Sequence, residues 1–173
     1  MNFSENSDRF MFAALQEAEK ALDQNEVPVG AVVVYKNQII GKGFNQVEML
    51  NDPTAHAEMI AITAAASHLK SWRLDKCDLY VTVEPCIMCT GAMLASRIKN
   101  LYFAEFDPKF GACGSLYNLA EEKKYNHKIN VYSGLYAAES RNLLKMFFKK
   151  LREATASKIT TAEIYKLPKR SKN

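Results

Sequence analysis

The chain has 173 residues, of which 48% are hydrophobic and 24% charged, and its formal net charge is +4. A chain of this size can bury a hydrophobic core without disulfide bonds, so we expect one globular domain. No run of residues approaches the eighteen or so consecutive apolar residues of a membrane-spanning helix. We therefore expect a cytoplasmic protein, in which paired cysteines bind metal or catalyse reactions more often than they form disulfides.

Helix and strand patterns alternate along the chain. In residues 1–22, charged residues recur every three or four positions among the apolar ones, which predicts an amphipathic helix and not a signal peptide. The β-branched runs 29–35 and 38–44, joined by Lys36 and Asn37, predict a β-hairpin. Further helices are predicted at 56–69, 86–98 and 137–154, and further strands at 79–83, 101–106 and 129–133. This alternation favours a mixed α/β layer fold over a helical bundle or a barrel.

The last stretch of the sequence differs in composition from the rest. Residues 156–173 are polar and basic, so we expect them to form a loosely held C-terminal tail. The remaining residues, 1–155, show no internal repeat and no linker. They are therefore predicted to form a single domain.

Two of the four cysteines lie three residues apart in the segment PCIMC, residues 85–89, directly after a predicted strand. Proline suits the first turn of a helix, so Cys86 and Cys89 are predicted to share one face of a first helical turn. The helix dipole and the unpaired N–H groups there favour thiolate over thiol. This spacing alone leaves metal binding, redox chemistry and chance open.

A second segment, PTAHAEM at residues 53–59, favours metal binding. His56 opens another predicted helix, and Glu58 follows two residues later. One imidazole and two thiolates give three ligands, and three protein ligands on zinc leave a fourth position for water, as in catalytic sites. A carboxylate near that water can transfer its proton. Glu58 does not share the helical face of His56, so spacing alone does not bring it to the metal.

The pairing of H-x-E with P-C-x-x-C is the signature of zinc-dependent nucleobase deaminases. More broadly, the sequence resembles the bacterial tRNA-specific adenosine deaminases, which belong to the zinc-dependent cytidine/deoxycytidylate deaminase superfamily. The resemblance runs from about Phe10 to about Arg152 and rests on EVPVGAV (26–32), GFN (43–45), DPTAHAE (52–58), EPCIMCTGAMLASRI (84–98), GACGSL (111–116), NHK (126–128) and FF (147–148). It implies a three-layer α/β/α sandwich around a five-stranded mixed sheet, and a homodimer.

The resemblance also implies a site and a reaction. One zinc ion per subunit would be held by His56, Cys86 and Cys89, with Glu58 as the proton shuttle. The implied reaction is hydrolytic deamination of adenosine to inosine at wobble position 34 of a tRNA anticodon, by zinc-activated hydroxide. The implied substrate contacts come from the side chains of Asn45 and Val29, from the backbone of Ala57 and Glu84, and from Asp107.

Two other kinds of protein would carry much of the same sequence signal. A free nucleobase or nucleoside deaminase acting on cytosine, cytidine or guanine would use the same zinc core. A structural zinc-binding RNA module would use the same metal and charge, and it would need a fourth ligand. Cys77 and Cys113 are the cysteines that could supply one, but we expect both to pack as small hydrophobic residues.

The loop EFDPKFGACG, residues 105–114, departs from the usual family pattern. It keeps Asp107 but has Phe106 and Phe110 where the family usually has arginine and threonine. We expect a phosphate or ribose contact to be lost there and a stacking surface to be gained. Asp107 is predicted to accept a hydrogen bond from a ribose 2′-OH, and the alternative is a turn residue before Pro108.

Positive charge is concentrated near the C-terminus. From residue 141 onward, only Glu153 and Glu163 oppose ten basic residues, which are Arg141, Lys145, Lys149, Lys150, Arg152, Lys158, Lys166, Lys169, Arg170 and Lys172. Such a patch predicts a phosphate-binding face, although a solvated basic tail has the same composition. Adjacent aromatic residues on a helix cannot both face the core, so one of them can stack on an anticodon base. We therefore predict RNA contacts from Phe147, Phe148, Lys149 and Lys150. The resemblance, through its match at residues 126–128, implies a further RNA contact from His127.

Overall fold

A computed structural model of the protein describes residues 5–165, with side chains described through Thr155. Strands and helices alternate through this part of the chain, as the sequence predicts. The elements are α1 (Glu5–Asp23), β1 (Gly30–Tyr35), β2 (Gln38–Phe44), α2 (Val47–Leu50), α3 (Ala57–Leu69), β3 (Cys77–Val83), α4 (Ile87–Ser96), β4 (Asn100–Glu105), β5 (Asn130–Ser133) and α5 (Ala137–Tyr165), with a short 3-10 turn at Leu119–Glu121.

The five strands form one mixed sheet in the order β2-β1-β3-β4-β5. β1 is antiparallel to β2 and β3, whereas β3, β4 and β5 are parallel to one another. β1 and β2 form the predicted hairpin, and its two turn residues, Lys36 and Asn37, have φ values of 47° and 63°. Left-handed backbone at both positions fits the twist of a two-residue hairpin.

Alternating side chains of the sheet build a core on each face. Ala31 and Val33 of β1 pack in the core shared with α3 and α4, whereas Val32 and Val34 pack in the core shared with α1. α5 lies on the α1 side, where it contacts α1 and β4. The result is a three-layer α/β/α sandwich, which confirms the predicted fold.

The C-terminal helix is longer than predicted. α5 continues to Tyr165 instead of ending at residue 154, because neither proline nor glycine interrupts the chain before Pro168. The predicted loose tail, residues 156–173, therefore begins inside a helix. Residues 166–173 lie outside the described residues, and the domain boundary at residue 155 stays a prediction.

The helices α3 and α4, at whose N-terminal ends His56 and Cys86 lie, both begin at the same end of the sheet's strands. α3 starts just after His56, and α4 starts just after β3 ends. Gly43 of β2 lets α3 lie close to the sheet, because a Cβ at this position would overlap the Ala57 carbonyl. None of the helices in the described part of the chain combines the length and the apolar character that crossing a lipid bilayer would require.

Candidate metal centre and active site

The three predicted metal ligands converge from two helix N-termini. His56 and Cys86 immediately precede α3 and α4, and Cys89 lies in the first turn of α4. Nδ1 of His56 is 3.8 Å from Sγ of Cys86 and 3.6 Å from Sγ of Cys89. All three ligand atoms lie within 4.8 Å of one another. These separations suit a tetrahedral zinc ion bonded at about 2.0–2.3 Å to nitrogen and sulfur.

The backbone around Pro85 differs from the prediction in one respect. Pro85 lies before α4 and not in its first turn, because Cys86 is still extended, with ψ of 176°. Cys86 forms an antiparallel bridge with Gly111, and the Ala112 N–H donates to the Pro85 carbonyl at 2.9 Å. This bridge holds Cys86 immediately before α4, and Cys89 lies next to it in the first turn of the helix.

The ligand side chains shift one another's pKa values. A hydrogen bond with Cys89 lowers the pKa of Cys86 to about 4, and a hydrogen bond with His56 adds to this shift. The same bond with Cys86, together with burial, raises the pKa of Cys89. The hydrogen bond to Cys86 also raises the pKa of His56. Because a metal ion binds thiolates and neutral imidazole, binding to this cluster releases protons.

The Glu58 side chain is buried beside the cluster. It is 3% exposed, and among the described residues Oε2 has no hydrogen-bond partner. Burial raises the pKa of this carboxyl group. A buried polar atom without a partner costs roughly 1–3 kcal/mol, so it points to a ligand or a catalytic use. The donor set and this orphan oxygen together fit a catalytic metal with a water beside it.

Asn45, Val29 and Ala57 lie together next to His56. The Ala57 N–H donates to Oδ1 of Asn45 at 2.9 Å, and the Asn45 N–H donates to the Val29 carbonyl at 3.1 Å. The side chains of Asn45 and Val29 are 7% and 9% exposed. The predicted substrate contacts are therefore neighbours, but the Ala57 N–H is already engaged within the protein.

Glu84 holds the loop after β4 with its side chain, which the sequence did not predict. Its Oε1 accepts the N–H groups of Cys113 and Ser115, both at 2.9 Å. Its Oε2 accepts the Asp107 N–H at 3.0 Å and the Ser115 hydroxyl. The backbone N–H of Glu84 donates to the Glu105 carbonyl at 2.8 Å. One sequence signal for this role was a carboxylate placed directly after a buried strand, because a buried carboxylate needs several hydrogen-bond donors.

The Asp107 side chain closes a turn. Its Oδ1 accepts the N–H groups of Lys109 at 2.9 Å and Phe110 at 3.2 Å. This arrangement matches the turn alternative for one carboxylate oxygen. The predicted ribose contact stays a prediction.

The predicted RNA contacts fall on different surfaces. His127 donates from Nε2 to the Ile98 carbonyl at 2.7 Å, which ties its loop to the connection between α4 and β4. Lys149 lies 4.0 Å from a Glu153 carboxylate oxygen, and Lys150 donates to Asn25 Oδ1 at 2.7 Å. Both lysines line a cavity between α1 and α5.

A second face of α5, distinct from the face that borders α1, lies beside the loop after β4. A groove of about 430 Å³ separates them, lined by the aromatic residues Phe106 and Phe148, the basic residues Lys109, Arg141, Lys145 and Arg152, and Glu105 and Leu144. Phe147 packs edge-on against Phe148, with ring centroids 5.3 Å apart. The groove therefore contains one of the two predicted phenylalanines and basic residues that the prediction did not select.

Cys77 and Cys113 pack inside the protein, as predicted. Both are buried, and burial raises the pKa of Cys77 to about 11 and that of Cys113 to about 12. Cys113 Sγ lies 3.2 Å from the Thr90 hydroxyl. Neither cysteine joins the metal-type cluster, so among the described residues it has three members.

Comparison with known proteins agrees with this site. A family model for the cytidine and deoxycytidylate deaminase zinc-binding region matches residues 4–105. A tRNA-specific adenosine deaminase from Aquifex aeolicus is 46% identical over 143 residues, which cover 83% of this chain and 94% of that protein.

Two solved structures are similar as well. One, from a study of A-to-I editing by tRNA:A34 deaminases at the wobble position, has a TM-score of 0.76 and 43% identity, covering 79% of this chain and 99% of that one. The other is a guanine deaminase from Bacillus subtilis, with a TM-score of 0.55 and 39% identity, covering 61% of this chain and 66% of that one. The chain therefore belongs to the zinc-dependent cytidine and deoxycytidylate deaminase family, in the branch of the tRNA-specific adenosine deaminases.

Proposed function

We propose that the protein hydrolytically deaminates adenosine to inosine at wobble position 34 of a tRNA anticodon. The observation that carries this proposal is the buried Oε2 of Glu58, which lacks a hydrogen-bond partner among the described residues, beside a cluster of three metal-ligand side chains. A structural zinc site closes all four positions with protein ligands, so three ligands and a buried acid favour an enzyme. The choice of adenosine in tRNA is supported by the similar tRNA-specific adenosine deaminase and by the similar structure from a study of tRNA:A34 deaminases.

His56, Cys86 and Cys89 would hold the zinc ion. When bound, zinc supplies the nucleophile by lowering the pKa of a water molecule toward neutrality. Glu58 would take a proton from that water at Oε2 and deliver it to the C6 amino group, so that a C6–O bond to the water oxygen replaces the C6–N bond and the amino group leaves as ammonia. Burial suits Glu58 to this role, because a carboxyl group with a raised pKa can hold the proton between the two transfers.

Asn45 and Val29 are proposed to hold the nucleotide. Oδ1 of Asn45 is occupied by the Ala57 N–H, which leaves the amide NH₂ group to donate to the substrate. Val29 provides apolar surface for the base. The bond to Ala57 fixes the orientation of the asparagine relative to His56, so base and metal are held in one geometry.

The groove between the loop after β4 and α5 is proposed to carry the anticodon loop. Phe106 and Phe148 offer aromatic faces for stacking, and Lys109, Lys145 and Arg152 offer charges for phosphates. Aromatic and basic side chains combined in one groove are typical of proteins that bind single-stranded RNA. Contacts from Asp107, His127, Phe147, Lys149 and Lys150 stay predictions.

We also propose that the protein forms a homodimer. Ile87, Leu116 and Tyr117 are each more than half exposed, and their backbone segments are joined, because the Leu116 N–H donates to the carbonyl of Gly111, the bridge partner of Cys86. A patch of exposed apolar side chains is typical of an interaction surface. The cytoplasmic location stays a prediction.

A free nucleobase deaminase is the alternative function, since one similar structure is a guanine deaminase. The two functions are separated by single-turnover rates on an anticodon stem-loop with A34, free adenosine, guanine and cytidine. We expect rapid conversion of the stem-loop and slow or undetectable conversion of the free compounds. Faster conversion of guanine or cytidine would replace the proposed function.

A further inference from the structure

The Glu84 carboxylate is the anchor of the loop that follows β4. It is 3% exposed and accepts hydrogen bonds from three residues of this loop, Asp107, Cys113 and Ser115. Hydrogen bonds to a charged carboxylate are about twice as strong as those between neutral groups. One buried side chain thus holds Cys113 and Ser115, which lie 29 and 31 positions from Glu84 in the sequence.

Two further features fit the loop to this anchor. A Cβ at Gly111 would overlap the Glu84 carboxylate, so the absence of a side chain there lets the loop close over the acid. The Ala112 N–H donates to the Pro85 carbonyl, and Gly111 pairs with Cys86. The loop is therefore fastened both to the carboxylate and to the backbone that leads into α4.

The anchored loop is also one wall of the proposed RNA groove. Phe106 and Lys109 line the groove, and the Asp107 N–H, between them in sequence, is bonded to Glu84. The opposite wall belongs to α5, whose Arg141 pairs with Glu105 at 2.8 Å. The width of the groove therefore depends on where Glu84 holds the loop.

We propose that the Glu84 side chain is a positioning residue that sets the groove wall relative to the metal ligands and thereby controls tRNA binding. The part of this proposal that concerns tRNA rests on the proposed function. Glu84 lies two residues before Cys86, but its two carboxylate oxygens bond to the loop and not to His56, Cys86 or Cys89. Its replacement should therefore change substrate binding before it changes metal binding or proton transfer.

The test uses zinc-loaded protein with Glu84→Gln, which has the same shape but turns an NH₂ group toward the loop donors. We expect faster hydrogen exchange at the amides of Cys113 and Ser115, with zinc content unchanged. The KM for tRNA should rise about tenfold or more, while kcat stays within about twofold. Glu121→Gln is the matched control, since this carboxylate is exposed and bonds to Asn118 within the same chain segment.

Ser115→Ala provides a second variant in case Glu84→Gln does not fold. It removes the hydroxyl donor to Oε2, and we expect a smaller rise in KM and faster exchange at the Asp107 amide. In the double variant, Ser115→Ala should add little to Glu84→Gln, because the two residues act through one interaction. Independent, multiplying effects on KM would mean that they do not share a positioning role.

Two further outcomes overturn the proposal. Unchanged exchange at the amides of Asp107, Cys113 and Ser115 would show that Glu84 does not hold the loop. Loss of zinc, or a fall in kcat as large as the rise in KM, would show that it acts on the metal site. The exchange measurement needs no substrate, so failure of wild-type protein to act on tRNA would refute the proposed function separately.

Discussion

Sγ of Cys89 lies 3.6 Å from Nδ1 of His56, although the two residues are 33 positions apart in the sequence. The two side chains lie next to each other because α3 and α4 begin at the same end of the sheet's strands. Their contact is a consequence of the α/β/α topology, and each motif alone carries only part of the metal site.

Replacing either cysteine of the cluster should remove zinc and activity together. In Cys86→Ser or Cys89→Ser, a neutral hydroxyl replaces a thiolate that the ion requires. Zinc content per protomer and deamination rate are the measurements. Cys113→Ser is the matched control, because Cys113 is buried outside the cluster, and it should keep zinc. Full metal occupancy in both cluster variants would refute the ligand assignment.

Replacing Glu58 should separate metal binding from catalysis. Glu58→Gln keeps the size of the side chain and should keep zinc, but it cannot carry a proton between water and leaving group. We expect deamination to slow by roughly a hundredfold or more, the usual loss for a positioned general acid/base. Single-turnover rates and zinc content measure the two effects. Near-normal turnover would mean that another group moves the proton.

Much of this site was predictable because its parts are local in sequence. The position of His56 just before α3 and of Cys86 just before α4 follows from turn and helix patterns within ten residues on either side. The prediction placed Pro85 in the first turn of α4, whereas the helix begins at Ile87, since the bridge from Cys86 to Gly111 keeps Cys86 extended. That bridge depends on a loop that the sequence pattern did not connect to the cysteines.

Contacts between distant segments were not predictable in this way. The bonds from Glu84 to Cys113 and Ser115 depend on how an irregular loop folds back over the sheet edge. Which basic residues of α5 line the groove and which lie on the α1 side depends on which helix face contacts the loop after β4 and which contacts α1. Lys149 and Lys150 were selected for their place beside the phenylalanines, whereas the groove contains Lys145 and Arg152.

The buried Glu58 should make the stability of zinc-free protein depend on pH. Burial raises the pKa of this carboxyl above its ordinary value of 4.5, so the folded state binds its proton more tightly than the unfolded state. Stability is therefore lost as pH rises above about 4.5 toward the folded pKa. Glu58→Gln lacks this term. Its advantage in unfolding free energy over wild type should grow across this pH range in chemical denaturation, and a constant difference would contradict the assignment.

Salt dependence should locate the RNA surface on α5. Lys145→Ala/Arg152→Ala removes two charges from the groove, and Lys149→Ala/Lys150→Ala removes two from the α1 side. Each contact between a basic side chain and a phosphate releases condensed counterions. Losing two such contacts should therefore reduce the magnitude of the slope of log affinity against log salt by roughly one to two units. We expect this decrease for the groove pair and a smaller one for the other pair. The reverse order would return the RNA contact to Lys149 and Lys150.

The most direct test of the account is to map inosine in a tRNA transcript that carries A34 and further adenosines in its anticodon loop. After incubation with zinc-loaded protein, we predict inosine at position 34 alone, and greatly reduced inosine with Glu58→Gln. A transcript with G34 should remain unchanged. Inosine at the other loop adenosines, or none at position 34 while free guanine or cytidine is deaminated, would contradict the proposed function.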